Sequence, residues 1–278
     1  MRNYNNINVI DLALIEDIGK GDITSTTTIP EGITTKFVIR AREEMVVCGT
    51  KIVQEIFSKI KSKGKVNIKI HLKDGEVANS EDIIISGKGD ARAVMAGERT
   101  ALNFLRQLSG VATSTKEFVE AVKGTKAIIL DTRKTIPGLR QLQKYAVTIG
   151  GGNNHRFGLD DGILIKDNHI AICGGVKKAI ESARKNAPKK FMIEIECDTF
   201  AQAKEAAAAG ADIILLDNMD IKTLQKVVKF IDKKILLEAS GGITLKNIRQ
   251  IAQTGVDFIS VGSITNNPAN IDIGLDME

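Results

Sequence analysis

Several basic side chains in this chain fall at positions that a folded protein cannot easily hide. Arg133 and Lys134 come just after the apolar run Ala127–Leu130, and Lys166 directly follows Ile163–Ile165, with His169 three residues on. His155 and Arg156 lie between them, behind the run Gly150-Gly151-Gly152-Asn153-Asn154. Charges at the ends of buried strands need partners, and an anionic ligand can supply them. Arg offers a planar fork that grips a carboxylate through two hydrogen bonds, whereas Lys is a point charge suited to carboxylate or phosphate. The plain alternative is surface charge for the set, and loop bracing for His169.

Two acids form a second constellation. Glu196 and Asp217 sit one strand unit apart, each at the end of an apolar run. They could pair with the cations above, or hold Mg²⁺, which takes one or two carboxylates plus substrate phosphates and water. Carboxylates there also supply negative potential where positive charge develops in a transition state. Two glycine turns follow: Ser240-Gly241-Gly242 ahead of a helix, and Val261-Gly262-Ser263 after the last strand. Backbone N–H groups exposed at such turns make an anion-binding concavity. The glycine run before His155 is not a GxGxxG that follows a strand, so no dinucleotide fingerprint is expected.

The elements that must position these residues show in the apolar pattern. Short β-branched runs at 127–130, 163–165, 191–195, 213–216, 235–237 and 258–261 alternate with helical stretches at 175–185, 200–209, 221–230 and 245–253. Such alternation gives a parallel sheet with right-handed crossovers. About six units are visible, fewer than the eight of a complete barrel. A doubly wound open sheet is the alternative. Because nearly every run ends in polar or charged residues, the barrel is favoured: its strand C-termini converge on one rim, whereas those of an open sheet spread along an edge.

Residues 1–110 read differently. Strands are expected at 37–42, 66–72 and 82–87, with an Asp74-Gly75 turn and a helix at 52–60, an α+β grouping. From Ala91 to about Val122 the pattern is helical, and Gly110 is expected to break the run in two. The division is thus 1–110 and 111–264, with a tail at 265–278 that could pack back on the first part.

Composition narrows the class. The 278 residues are 43% hydrophobic and 26% charged, as in an ordinary globular protein. The net charge of +5 comes from 39 basic against 34 acidic residues, much of it scattered lysine such as Lys59-Ile60-Lys61-Ser62-Lys63. Aromatics make up 4% and Trp is absent, so a base-stacking platform is poorly supplied and nucleic acid is not the expected partner. No apolar run reaches the ~18–20 residues of a membrane helix. The segment Met1–Gly19 lacks the pattern of a secretory leader, and Cys48, Cys173 and Cys197 are far apart. A cytoplasmic location is expected.

The motifs resemble those of the quinolinate phosphoribosyltransferase (nicotinate-nucleotide pyrophosphorylase, carboxylating) family across nearly the whole chain. They include 16–25 (EDIGKGDITS), 97–103 (GERTALN), 131–140 (DTRKTIPGLR), 154–156 (NHR), 165–169 (IKDNH), 216–218 (LDN) and 238–242 (EASGG). The run before His155 looks slightly extended. The resemblance implies an N-terminal α+β open sandwich and an incomplete β/α barrel of about six to seven strands. It implies transfer of phosphoribosyl from phosphoribosyl pyrophosphate to quinolinate, giving nicotinate mononucleotide, pyrophosphate and CO₂, with Mg²⁺ as cofactor. It further implies a homodimer in which Arg99 reaches the partner's site. Arg99, Arg133, His155 and Arg156 would bind the quinolinate carboxylates, with Thr132 beside them. Lys134 and Lys166 would lie between the substrates as catalytic residues. Glu196 and Asp217 would face the ribose and metal, also as catalytic residues. Ser240, Gly241, Gly242, Val261, Gly262 and Ser263 would hold the 5′-phosphate. Rival readings are a relative with another acceptor, of the molybdenum-uptake-associated type, a Schiff-base aldolase using Lys166, and a non-catalytic phosphate-binding regulator.

Overall fold

A computed structural model describes residues 8–61, 64–231 and 235–278. Residues 1–7 of the leader reading and Ser62-Lys63 of the lysine-rich stretch lie outside the described residues. The chain forms two compact units, both discontinuous: Met1–Ser114 with Ile136–Gly150 and Asn267–Glu278, and Thr115–Thr135 with Gly151–Asn266. No described helix is long and apolar enough to cross a membrane.

The first unit opens with α1 (Val9–Ile18) and α2 (Ile23–Thr28), capped by the side chains of Asn8 and Asp22. There follow β1 (Thr34–Ala41), β2 (Met45–Val46), α3 (Thr50–Lys59), β3 (Asn67–Ile70), β4 (Val77–Ala78), β5 (Ile83–Asp90) and α4 (Ala91–Ala121). The chain continues through β6 (Ile128–Leu130) and α5 (Arg140–Ile149), of which α5 belongs to the first unit. The last strand, β12 (Ile273–Met277), pairs antiparallel with β1, giving the sheet order β12-β1-β5-β3. Its apolar face and α3 share one core, with Phe37, Ile39 and Ile85 meeting Val53, Ile56 and Phe57. The α3 residues recur at helical spacing and the strand residues at period two, which is why each element buries one face.

Gly110 does not break the helix. α4 runs unbroken for 31 residues, from Ala91 to Ala121. A Cβ at Gly110 would lie 2.3 Å from the carbonyl oxygen of Ala269. The glycine lets the C-terminal segment cross close to the helix, and the hydrogen bond from Ala269 N to Ser114 Oγ (2.9 Å) fixes that crossing.

The second unit carries β6, β7 (Ile163–Ile165), α6 (Asp167–Cys173), α7 (Val176–Asn186), β8 (Ile193–Cys197), α8 (Phe200–Ala208), β9 (Ile213–Asp217), α9 (Ile221–Ile231), β10 (Leu236–Ser240), α10 (Ile248–Gln253), β11 (Phe258–Ser260) and α11 (Ser263–Asn266). The six strands pair in parallel in the order β6-β11-β10-β9-β8-β7. From β7 onward each strand neighbours its successor, and the last, β11, neighbours the first, β6, which leaves β6 and β7 as the two edges. A doubly wound sheet reverses direction at a switch point instead. Asn153 adds a one-residue parallel bridge to Leu130 on the free edge of β6, through Asn153 N to Ile129 O (2.8 Å) and Asp131 N to Asn153 O (3.2 Å). The glycine run before His155 therefore supplies a vestigial seventh strand, and the sheet is an incomplete β/α barrel.

Gly110→Ala should gain about 1 kcal/mol of helix propensity yet lose about 1–3 kcal/mol to overpacking against a backbone carbonyl. The net expectation is a lower denaturation midpoint. A midpoint equal to or above wild type would show that the C-terminal segment can move aside.

Candidate active site

The β8 run Ile-Glu-Ile-Glu-Cys alternates. Ile193, Ile195 and Cys197 are buried on one face, so Glu194 and Glu196 share the other, as does Asp198 just beyond the strand. Residues paired across parallel strands point the same way. The register sets Glu196 level with Leu215, Leu215 level with Glu238, and Asp217 level with Ser240. Ile165 pairs with Ile195, so Lys166 comes level with Glu196. Its ammonium lies 3.1 Å from the Glu196 carboxylate. One carboxylate oxygen from each of Glu196, Asp198 and Asp217 lies within 4.8 Å of the other two, an oxygen-only set of the kind that suits a hard divalent cation.

The glycine turns are shaped by close approach. Asn218 takes a left-handed conformation (φ +53°), and its amide Nδ2 donates to Asp217 Oδ2 at 2.6 Å. A Cβ at Gly241 (φ +84°) would meet Asn218 Oδ1 at 2.2 Å, so only glycine lets the β9 and β10 loops lie together. Gly242 is also left-handed, at φ +61°. At the end of β11, a Cβ on Gly262 would come within 3.1 Å of Lys134 Cδ and 3.7 Å of Thr132 Oγ1. The hydroxyl of Thr265 on α11 donates to Lys134 O (2.8 Å), and Lys134 N donates to Thr132 Oγ1 (3.0 Å). The loop after β6 is thus bound to the loop after β11, with Ser263 beginning the short helix. Val261 is buried and its N–H is taken by Leu130 O (2.9 Å), so it sets the turn's position and offers no N–H of its own.

His155 and Arg156 follow the Asn153 bridge. Asp131, fully buried, accepts the His155 backbone N–H (2.9 Å). The ring Nε2 reaches Glu194 at 3.1 Å and Glu238 at 3.5 Å, with side-chain exposures of 13%, 7% and 2% for the three residues. Counted along the sheet from the Asn153 bridge, β8 is five strand spacings away, roughly 24 Å if the sheet were flat. A 3.1 Å contact requires the sheet to curl into a barrel.

Burial alone would disfavour a charged His155, but hydrogen bonds to Glu194 and then Glu238 outweigh it, so the cluster as a whole keeps one extra proton up to about pH 10. Burial, and then the neighbouring Glu238 carboxylate, push Glu194 above the usual carboxylate range. His155 Nδ1 accepts the Arg156 backbone N–H at 2.7 Å, which a doubly protonated ring cannot do. The proton kept by this cluster therefore rests on the carboxylate side, and the ring is the Nε2–H tautomer. Arg156 is pushed down by burial and then by the like charge of Arg133, so the two guanidiniums share one locality. Arg156 also donates to Gly162 O at 3.1 Å.

The strand-end residues named from sequence thus gather around the C-terminal rim of one barrel. Arg156, Arg133 and Lys134 form a cationic arc with His155 beside it, the Gly262 and Gly241-Gly242 turns come next, and Asp217, Glu196 and Lys166 close the circuit. His169 braces a loop: its Nδ1 accepts the Lys166 N–H at 2.9 Å, closing the first turn of α6. Arg99 belongs to the first unit, exposed on α4. Glu194, Glu238 and Asp198 received no role from sequence, although an acid two residues either side of Glu196 shares its face by the pleat alone. Cys197 offers no nucleophile, because burial pushes its thiol to about 12. The ion pair to Glu196 likewise occupies the amine that a Schiff-base aldolase would need.

Residues 22–109 and 111–276 match the sequence models of the quinolinate phosphoribosyl transferase N-terminal and C-terminal domains. The chain belongs to this family. It is 43% identical over 263 residues to a probable nicotinate-nucleotide pyrophosphorylase (carboxylating) of Bacillus subtilis, covering 95% of this chain and 90% of that one. It is 40% identical to the nicotinate-nucleotide pyrophosphorylase (carboxylating) of Mycobacterium leprae, covering 95% and 94%. The crystal structure of nicotinate-nucleotide pyrophosphorylase from Ehrlichia chaffeensis superposes with a TM-score of 0.93 at 46% identity, covering 99% of this chain and 100% of that one. The incomplete barrel that carries the rim is thus the family's fold.

The folded cluster holds its proton to about pH 10, against 6.5 for a free imidazole, so its stabilisation is complete below pH 6.5 and is lost as pH climbs towards 10. Wild-type urea midpoints should fall more steeply over that window than those of His155→Gln. Equal slopes would place the retained proton elsewhere.

Proposed function

We propose that this chain transfers the phosphoribosyl group of phosphoribosyl pyrophosphate to the ring nitrogen of quinolinate, with loss of CO₂, giving nicotinate mononucleotide and pyrophosphate in NAD biosynthesis. The observation that carries the reading is the order of charges around one rim: a cationic arc, a glycine-lined cradle, then a carboxylate cluster. Quinolinate is a dianion, and the forks of Arg133 and Arg156 suit its two carboxylates, with His155 in the same wall. Backbone N–H groups of the Gly241-Gly242 and Gly262 turns suit the 5′-phosphate. Lys134, which lies over Gly262, and Lys166, which is paired to Glu196, suit the space between the two anions.

As the bond to pyrophosphate breaks, the ribose carbon becomes oxocarbenium-like, and Glu196 and Asp217 place negative charge beside it. The nitrogen of quinolinate then bonds to that carbon. Carboxyl loss leaves an electron pair on the carbon next to the cationic nitrogen, and a proton takes the carboxyl's place. Glu196, Asp217 and Asp198 would hold Mg²⁺, which when bound offsets the charge of the leaving pyrophosphate. We further infer a homodimer in which Arg99 completes the partner's quinolinate pocket, acting in the cytoplasm. The family's carboxylate-rich substrate and the exposed position of Arg99 on α4 support this reading.

Purified protein given quinolinate, phosphoribosyl pyrophosphate and Mg²⁺ should release nicotinate mononucleotide, pyrophosphate and CO₂ in equal amounts, and no product would sink the assignment. Arg133→Lys should raise the KM for quinolinate about tenfold, a loss of ~1.4 kcal/mol as one fork contact is lost. Unchanged KM would remove the carboxylate-clamp role. Glu196→Ala should cut kcat by about two to three orders of magnitude. Mixing inactive Arg99→Ala and Arg133→Ala chains should restore up to about a quarter of wild-type activity, since half the dimers then carry one intact site. Wholly inactive mixtures would contradict sharing between chains.

A further inference from the structure

Inside the barrel, below the rim, two acids are buried where the reaction has no evident use for them. Glu194 and Glu238 come from β8 and β10, their side chains are 7% and 2% exposed, and both face His155 Nε2. Glu238 Oε1 has no hydrogen-bond partner among the described residues. Apolar residues would fill this interior at less cost than a pair of acids, so a purely packing role does not explain them. A metal site is the obvious alternative, since His155, Glu194 and Glu238 could jointly ligate an ion. The ring's other nitrogen argues against it. A metal-bound imidazole donates its second N–H to a neighbour, whereas His155 Nδ1 accepts from the Arg156 backbone at 2.7 Å.

Both ring nitrogens are thus engaged within the protein, one with the interior acids and one with the backbone of Arg156. We propose that Glu194 and Glu238 are positioning residues for the acceptor substrate: they hold the His155 imidazole by its Nε2–H, and the ring's Nδ1 fixes the backbone of Arg156, setting where its guanidinium meets a substrate carboxylate. His155 then works through Arg156 and not as a direct ligand. The groups that face the ring support one orientation. Asp131 fixes its own backbone N–H, Arg156 N–H meets Nδ1, and the two carboxylates meet Nε2. Arg156 is further tied by its guanidinium to Gly162 O, so its backbone and its head are both anchored. This inference rests on quinolinate being the acceptor, as proposed above.

The test has two arms. The chain has three histidines, so ¹⁵N-histidine NMR of the unsubstituted protein gives a readable spectrum. His155 is expected as the Nε2–H tautomer at neutral pH. A doubly protonated ring or the Nδ1–H tautomer would overturn the proposal without any variant. In the second arm, Glu194→Ala and Glu238→Ala should raise both the KM and the calorimetric Kd for quinolinate about tenfold or more, with the KM for phosphoribosyl pyrophosphate and the thermal midpoint serving as checks of intact folding. Glu194→Gln keeps an acceptor oxygen and should stay within about threefold of wild type. Equal losses for both substrates would mean a general structural role and overturn it, as would unchanged quinolinate affinity. A divalent metal retained by wild type and lost in Glu238→Ala would overturn it in favour of a metal site. If the wild type binds no quinolinate, the functional reading fails instead, and the NMR arm still decides the ring's anchoring.

Discussion

A strand in a curled parallel sheet can send only alternate side chains inward, and everything chemical in the second unit follows from that restriction. It puts Glu194, Glu196 and Asp198 on one line, Leu215 and Asp217 on the next, and Glu238 and Ser240 beside them. The lower members of each line form a buried interior and the upper members a wet rim. No loop needs to fold over to bring Lys166 to Glu196: the register of β7 on β8 has already done so.

The rim keeps its opposite charges sorted. Burial and then the nearby Arg133 disfavour the charge of Arg156, so this side of the rim favours an anion. The acids on the far side are close enough together to want a cation. Between them the glycine turns leave backbone exposed, with Asn218 lying where a Cβ on Gly241 would have to go. A site that must hold two anionic partners while a positive charge appears between them has few other economical layouts.

Much of this was legible in the sequence because the strands are short, β-branched and followed at once by charged residues. The six strand runs fall within three residues of β6 to β11 at every boundary, and Arg133, Lys134, Lys166, Glu196 and Asp217 stand at or just beyond their ends. Less was legible where one residue type serves two purposes. Gly110 looks like a helix breaker by propensity, but its lack of a Cβ serves a crossing segment more than 150 residues away in the chain. Glu194 and Glu238 look like ordinary strand residues until the curl of the sheet brings them to His155. The Asn153 bridge is a single residue, too short to leave any periodicity.

The excursion between β6 and β7 has its own consequence. Residues 136–150 leave the barrel and join the first unit, where Tyr145 donates to Asp74 (2.9 Å) and Leu139 and Leu142 pack on the core containing Phe37 and Phe57. The stretch bearing Arg133-Lys134 and the stretch bearing His155-Arg156 are therefore the two ends of one loop whose middle is rooted elsewhere. No single cut in the gene can therefore part the barrel from the first unit, because each is assembled from stretches that alternate along the chain.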